Sequence, residues 1–348
     1  MKSIAAKTRI GSNAYMISIG LLLAALLISV AFGSVSISPG VLYSVFLSKI
    51  AGRAVSQALQ PFATIIFALR LPRTLLIGLT GAALAGSGAS YQGLFKNPLA
   101  DPYLIGVASG AGLGAVISMS IDWPYSALSY FSVPICAFLG ALLTVFLVYQ
   151  LAKIGSTVPT TNLILAGVAI SAFATAVTSF LMLNASVEVR SAIAWLFGGA
   201  TMSGWKPVLG VLPYIALGLG FLVTTGHALN VLQFGDEQAQ QMGLRVRRVR
   251  LLIILAASLT TAAAVSFTGI IGFVGLIIPH AVRMIWGGDY RRLLPLSILN
   301  GASLLLVADV LARVLIPPQE IPVGIITALV GVPFFLWVLR RAKQQHYW

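Results

Sequence analysis

The chain alternates long apolar blocks with short polar punctuation. Between successive charged or proline-bearing clusters lie stretches of about 20 apolar residues, the length a helix needs to cross a bilayer. Their number predicts about ten transmembrane helices. The first block lies near Tyr15–Phe32, the second between Arg73 and Lys96, and the third between Asp101 and Asp122. The fourth runs from Asp122 to Lys153, the fifth from Thr160 to about Leu183, and the sixth from Trp205 to near Gly226. The seventh follows Arg250, a short eighth covers roughly Phe273–Trp286, the ninth follows Arg292, and the tenth runs from about Pro322 to Leu339. The predicted fold is therefore an all-α polytopic membrane protein, with one transmembrane domain over residues 1–348.

Composition agrees with that pattern. Hydrophobic residues make up 58% of the chain and charged residues 9%, where soluble domains carry about 25% charged. The net charge of +14 would fit a nucleic-acid partner, but in a polytopic protein the positive-inside rule accounts for it, and no nucleic-acid partner is expected. With the N-terminus inside, about fifteen basic residues fall on the cytoplasmic side and about seven outside, which also puts the C-terminus inside. The N-terminal basic residues and apolar run, with Ser29-Val30-Ala31 as a small-x-small site, have the form of a signal peptide. The length of the run and the spans behind it favour an uncleaved first helix. The single cysteine, Cys136, excludes a disulfide framework.

Two loops carry more information than punctuation. LFKNPLADPYLIGVASGAGLGA, Leu94–Ala115, places Asn97-Pro98 and Asp101-Pro102 on the cytoplasmic side between the second and third spans. Both dipeptides break helices. Gly106, Gly110 and Gly114 then form a small-residue face suited to close helix packing. The loop is either a plain connection into a packing helix or the inner mouth of a pathway. After the sixth span, LQFGDEQAQQMGLRVRRVRLL is polar and ends in a basic cluster. Acidic residues favour a helix start and Gly a helix end, so one or two short helices are expected across the inner surface. That segment is either a charged linker that fixes topology or a docking surface for a soluble partner. On the outer side, Arg70, Arg73 and Arg313 are expected to be exposed, as lipid-headgroup anchors or as grips for an acidic partner. The small-residue texture shared by Gly81–Phe95 and Ala262–Leu276 is what an inverted repeat over about 69–185 and 250–341 would leave.

Several chemistries are missing. There is no phosphate-binding loop for ATP, and His227, His280 and His346 are too scattered in sequence to indicate a metal site or cofactor. No carboxylate sits mid-span, as an ion-coupled secondary transporter or channel would favour; Asp309 and Glu320 lie near span ends. Ser109 and His280 could form the dyad of an intramembrane serine protease, although serines in such helices mostly bond backbone carbonyls.

The stretches RLPRTL, GAALAGSGASYQGLFKNPLADPYLIGVASGAGLGA, the Gly235–Gly243 loop, GFVGLIIPHAVRM and ADVLAR…EIPVGIITALVGVPFFLWVLRR resemble the permease subunits of type II ABC importers for ferric siderophores, haem and cobalamin. The resemblance extends from about Leu69 to Arg341. It implies a transport subunit without enzymatic chemistry, located in a bacterial or archaeal cytoplasmic membrane. It also implies a second permease subunit, the same or related, two cytoplasmic ATPase subunits, and a periplasmic or lipid-anchored substrate-binding protein. By the same resemblance the fifth span lines the pathway, Thr160 and Thr161 form an inner gate, and Asn97 and Leu99 form a second constriction. Asp236, Glu237, Ala239 and Gly243 fall on the segment that couples to the ATPase, and Arg70, Arg73 and Arg313 on the grip for the binding protein. The cargo, siderophore, haem or cobalamin, is left open.

Overall fold

The computed structural model describes residues 2–345 except 34, 36, 53, 54, 125, 126, 156, 157, 185–188, 201 and 318. The helices are α1 (Lys2–Ala31), α2 (Pro39–Ile50), α3 (Gln60–Thr64), α4 (Leu71–Leu94), α5 (Val107–Met119), α6 (Ala127–Ala152), α7 (Thr160–Asn184) and α8 (Val189–Leu196). They continue with α9 (Trp205–Thr224), α10 (Gly226–Leu232), α11 (Asp236–Gln241), α12 (Val246–Thr268), α13 (Val274–Trp286), α14 (Tyr290–Val314) and α15 (Val323–Gln345). Among the described residues, 7 helical stretches are long and apolar enough to cross a membrane. The remaining expected spans are met by α5, α13 and Val323–Val338 of α15, which are apolar but shorter.

The bundle is built around α4, which packs against α9, α12, α13 and α14 and is buried along nearly its whole length. Its sequence explains that position. Ala, Gly and Ser dominate, so several helices can approach it closely without side chains to hold them off. The tightest neighbours elsewhere are α5 and α6. A methyl group on Gly110 would fall 2.5 Å from the Gly140 carbonyl oxygen and on Gly114 2.7 Å from the Cys136 carbonyl carbon. The small-residue face expected from Gly106, Gly110 and Gly114 is thus used, and its partner is α6.

Helix α4 is entered through a continuous helical run from Gln57, with a π-helical turn at Ile65–Arg70. Pro72 explains the turn, since its ring cannot sit in a regular α ladder and it has no N–H to donate. In this register Leu71 N–H bonds back to Ile66 O, which leaves Phe67 O facing the proline nitrogen without a donor. The indole of Trp205 supplies one, Nε1 donating to Phe67 O at 3.0 Å. The Asp-Pro break acts similarly before α5. Asp101 Oδ1 accepts from Tyr103 N at 2.8 Å, a 3-10 turn follows over Pro102–Ile105, and Gly106 turns at φ 86. Helix α5 therefore starts late and has 13 residues, about 20 Å of helix.

Arg70 precedes α4 and Lys96 follows it, so they mark opposite ends of the bundle, beyond the two ends of a helix about 36 Å long. They are called below the Arg70 end and the Asp236 end.

Candidate functional site

At the Arg70 end, three arginines converge. Arg70, Arg73, Arg313 and Glu320 line a cavity of about 270 Å³ together with Gly33, Met202 and neighbouring residues. The expectation of exposed arginines fails for two of the three: Arg70 and Arg313 are 6% and 4% exposed. The cause is the end of α1. The last carbonyls of a helix have no intrahelical donor and carry partial negative charge. Arg70 Nη1 donates to Val30 O at 2.9 Å and Ala31 O at 2.7 Å, and its Nη2 to Val35 O. Arg313 donates to Phe32 O at 2.8 Å and to Ser29 O at 3.2 Å. Both guanidinium groups therefore cap α1, with Gly33 between them. A methyl there would lie 3.0 Å from Arg70 Nη2 and 3.2 Å from Arg313 Nη1.

Arg73 differs from its neighbours. Its side chain is 21% exposed and bridges Asp309 at 2.9 Å and Glu320 at 2.7 Å. Asp309 is fully buried and is shared with Arg313 Nε at 2.9 Å. Three guanidinium groups against two carboxylates leave this pocket one net positive charge. The Asp309 bridge was invisible in sequence terms, where Asp309 read only as a carboxylate near a span end. The signal available was its spacing of four from Arg313 on one helix.

At the Asp236 end, α11 lies in the segment where one or two short helices were expected, and α10 precedes it. Gly235, at φ 114, turns the chain between them, and Gly243, at φ 82, turns it after α11. Ala239 is fully buried and seats α11 on the bundle, while Glu237 and Gln238 face outward. Asp236 is tied on two sides, to Arg250 at 2.9 Å and to Lys96 at 3.7 Å. The Asn97 loop and the start of α12 thus meet at one carboxylate on α11. Phe234 and Met242, 63% and 62% exposed, flank the outward face of α11; their hydrophobicity had been absorbed into the reading of a polar loop.

Asn97 Oδ1 accepts from Leu99 N at 2.9 Å and folds the loop on itself. The loop ends in buried Ala100 and Asp101, whose carboxyl is pushed up to about 6 by burial, against the opposing hydrogen bond from Tyr103 N–H. Helix α7 begins at Thr160 and crosses the 3-10 turn where a methyl on Gly167 would lie 3.1 Å from Ile105 Cα. Thr160 and Thr161 therefore lie at the same end as Asn97 and Leu99. No hydrogen bond joins the two pairs among the described residues. Nearby, burial alone would raise the Asp289 carboxyl, but hydrogen bonds from Arg291 and Asn230 hold it at about 2.

The serine–histidine dyad does not form. Ser109 Oγ donates to Gly106 O at 3.1 Å and lies 3.0 Å from Ser171 Oγ, whose hydroxyl can donate to it, and His280 stands against the Phe334 ring, edge to face, at 6.2 Å. Among the described residues no cluster of His, Cys, Asp and Glu could hold a metal ion; His346 lies outside them.

These features agree with comparison to known proteins. Residues 21–341 match the FecCD transport family. The chain belongs to that family. The chain is similar to an ABC transporter permease protein of Bacillus subtilis, YvrB, 37% identical over 98% of both chains. The cobalamin import system permease protein BtuC of Halobacterium salinarum is 46% identical over 79% of this chain and 73% of its own. Among solved structures, an inward-facing metal-chelate type ABC transporter matches with a TM-score of 0.81 at 31% identity, over 94% of this chain and 99% of its own. As a FecCD family member, the chain is a multi-pass membrane transport subunit.

Proposed function

We propose that this chain is the permease subunit of an ATP-driven importer that moves a bulky iron chelate, such as a ferric siderophore or haem, or cobalamin into the cytoplasm. The observation that carries the reading is the unlike construction of the two ends. The Arg70 end holds a pocket with excess positive charge; the Asp236 end presents a short helix anchored by Ala239 and Asp236, with Phe234, Glu237 and Met242 turned outward. A binding protein, periplasmic or lipid-anchored, presents carboxylates to the first, reaching Arg73 and then the capping pair Arg70 and Arg313. Two cytoplasmic ATPase subunits seat on the second. The Arg70 end then faces outward, and both termini lie in the cytoplasm, in keeping with the basic-residue count.

Two permease subunits, identical or related, enclose the pathway between them. Helix α7 supports this. It buries Leu163, Ala174 and Thr178 on one side and leaves Leu165, Val168, Phe173 and Phe180 exposed on the other. Between those large side chains the exposed Ala169, Ala172, Thr175, Ala176 and Ser179 give weak, non-sticky walls to a wide cargo, and Thr160 and Thr161, with Asn97 and Leu99, form the inner constriction. ATP binding draws the ATPase subunits together, α11 moves with them, and Asp236 passes the motion to Lys96 and Arg250. The two access states are alternative packings of one bundle, whose balance the soluble partners bias.

The test is uptake into proteoliposomes containing the permease, the cognate ATPase and the binding protein. Uptake of the chelate bound by that binding protein should require ATP and all three components. Transport without the ATPase would replace this reading with secondary transport.

A further inference from the structure

Between α6, α9 and α12 lies an apolar cavity of about 450 Å³ that the transport reading leaves unused. Its walls include Phe131, Pro134 and Phe138 of α6, Gly210 and Tyr214 of α9, and Phe267 of α12. The sequence explains the opening. Pro134 cannot donate to the preceding turn, which weakens the α6 ladder there. Gly210 contributes no side chain, and a methyl placed on it would lie 3.1 Å from the Phe267 ring. Phe131 meets Phe267 edge to face at 6.3 Å, and Phe138 leans on Tyr214 at 5.7 Å. At the mouth, Ile135, Leu139 and Tyr214 are exposed at the depth of the spans. A second cavity of about 410 Å³ shares Pro134 and Ser266 with the first and continues toward Ala194 and Trp195 on α8.

The groove is polar at one end only. Toward the Arg70 end, the Lys206 ammonium stands 5.4 Å from the centre of the Tyr130 ring. Tyr130 Oη donates to Ser203 O at 3.2 Å, and the neighbouring Trp205 indole donates to Phe67 O. Tyr, Trp and Lys together are the composition of a membrane–water boundary. Lys206 is exposed and enters no ion pair among the described residues. From Tyr130 to Leu139 the groove descends about 13 Å along α6, close to one leaflet of a hydrocarbon core about 30 Å thick.

We propose that this groove binds one anionic phospholipid from the leaflet at the Arg70 end. One acyl chain lies between the Phe131–Phe267 and Phe138–Tyr214 pairs, and the phosphate meets Lys206. An unpaired cation at the interface above a slot one chain wide and one leaflet deep complements an anionic amphiphile with its head at the boundary. A packed helix from another subunit would run past the boundary cation and fill both leaflets. Through the shared wall at Pro134 and Ser266, the lipid also supports the packing of α8.

Native mass spectrometry of the full permease, extracted from vesicles of phosphatidylcholine and phosphatidylglycerol, tests this. Wild type should retain phosphatidylglycerol in preference to phosphatidylcholine. Lys206→Glu, at an exposed position outside the packed bundle, should lower that preference about fivefold or more, the weight of one basic residue at a charged membrane surface. Gly210→Phe should empty the groove of lipid. Phosphatidylglycerol with a photoactivatable acyl chain should label α6 and α9 peptides in wild type and not in Gly210→Phe. Equal retention of the two lipids by wild type, unchanged preference in Lys206→Glu, labels confined to other helices, or cross-links from Leu139 to a second copy of the chain would each overturn the proposal. The Lys206→Glu comparison holds even if Gly210→Phe fails to fold.

Discussion

Arg70 and Arg313 satisfy carbonyls at the end of α1, and Arg73 alone reaches the surface of their pocket. Their substitutions should therefore separate. Arg70→Gln removes a multi-carbonyl cap that the shorter amide cannot reach, and thermal unfolding of the purified permease should show a loss of about 2 kcal/mol or more. Arg73→Gln leaves buried Asp309 paired with Arg313. Its unfolding midpoint should move little, while binding-protein affinity falls about tenfold, the weight of a charged hydrogen bond. Equal destabilisation by both, with unchanged affinity, would deny Arg73 a docking role. Sequence reading grouped these arginines at one end of the spans, as the structure does, and misjudged the exposure of Arg70 and Arg313. Nothing in RLPRTL reveals that α1 ends beside it with open carbonyls.

Asp101 gives a pH-dependent expectation. Its carboxyl titrates near 6 in the fold, raised by burial, and near 3.9 in an unfolded chain. Folding therefore takes up a proton between those values, so the stability contributed by this group is full below about 4 and declines as pH rises through 6. Asp101→Asn keeps an oxygen for the Tyr103 N–H and removes the charge. Its unfolding midpoint relative to wild type should be higher at pH 8 than at pH 5. A difference independent of pH would show that the Asp101 carboxyl is ordinarily solvated.

Among the elements, α11 concentrates two roles in adjacent residues. Asp236 holds α11 to Lys96 and Arg250, and Glu237 faces outward. Asp236→Lys places like charges together and should loosen the helix; Glu237→Lys should leave it intact. Both should lose ATP-coupled uptake, but only Asp236→Lys should speed amide hydrogen exchange over 236–243. Slow exchange in both would remove Asp236 from the link between α11 and the bundle. Helix α11 was legible from Asp236-Glu237 at its start and Gly243 just beyond its end. Helices α2 and α8 were not, because each is far below spanning length and lies between blocks that the span pattern had claimed. Helix α5 was legible as an apolar block, yet its late start depends on Asp101, Pro102 and the φ of Gly106, which hydropathy does not weigh.

Across the whole molecule, the helical membrane architecture follows from block length, and the family resemblance from motifs between about Leu69 and Arg341, inside the matched residues 21–341. The polar chemistry is less transparent. Residues that look alike in sequence, such as the outer arginines, divide into caps and surface groups only when distant helices meet. The paired aromatic walls of the lipid groove likewise come from α6, α9 and α12, with no local signature in any of them.

One consequence concerns which parts can swing. Where Gly110 and Gly114 bring α5 backbone to backbone with α6, no intervening layer of side chains can slip or change rotamer. The two helices are therefore keyed together like a single plank. Bending during a transport cycle is left to the joints beside that plank, chiefly the left-handed Gly106 and the self-bonded Asn97 turn, and those joints lie beside the strut that Asp236 forms with Lys96.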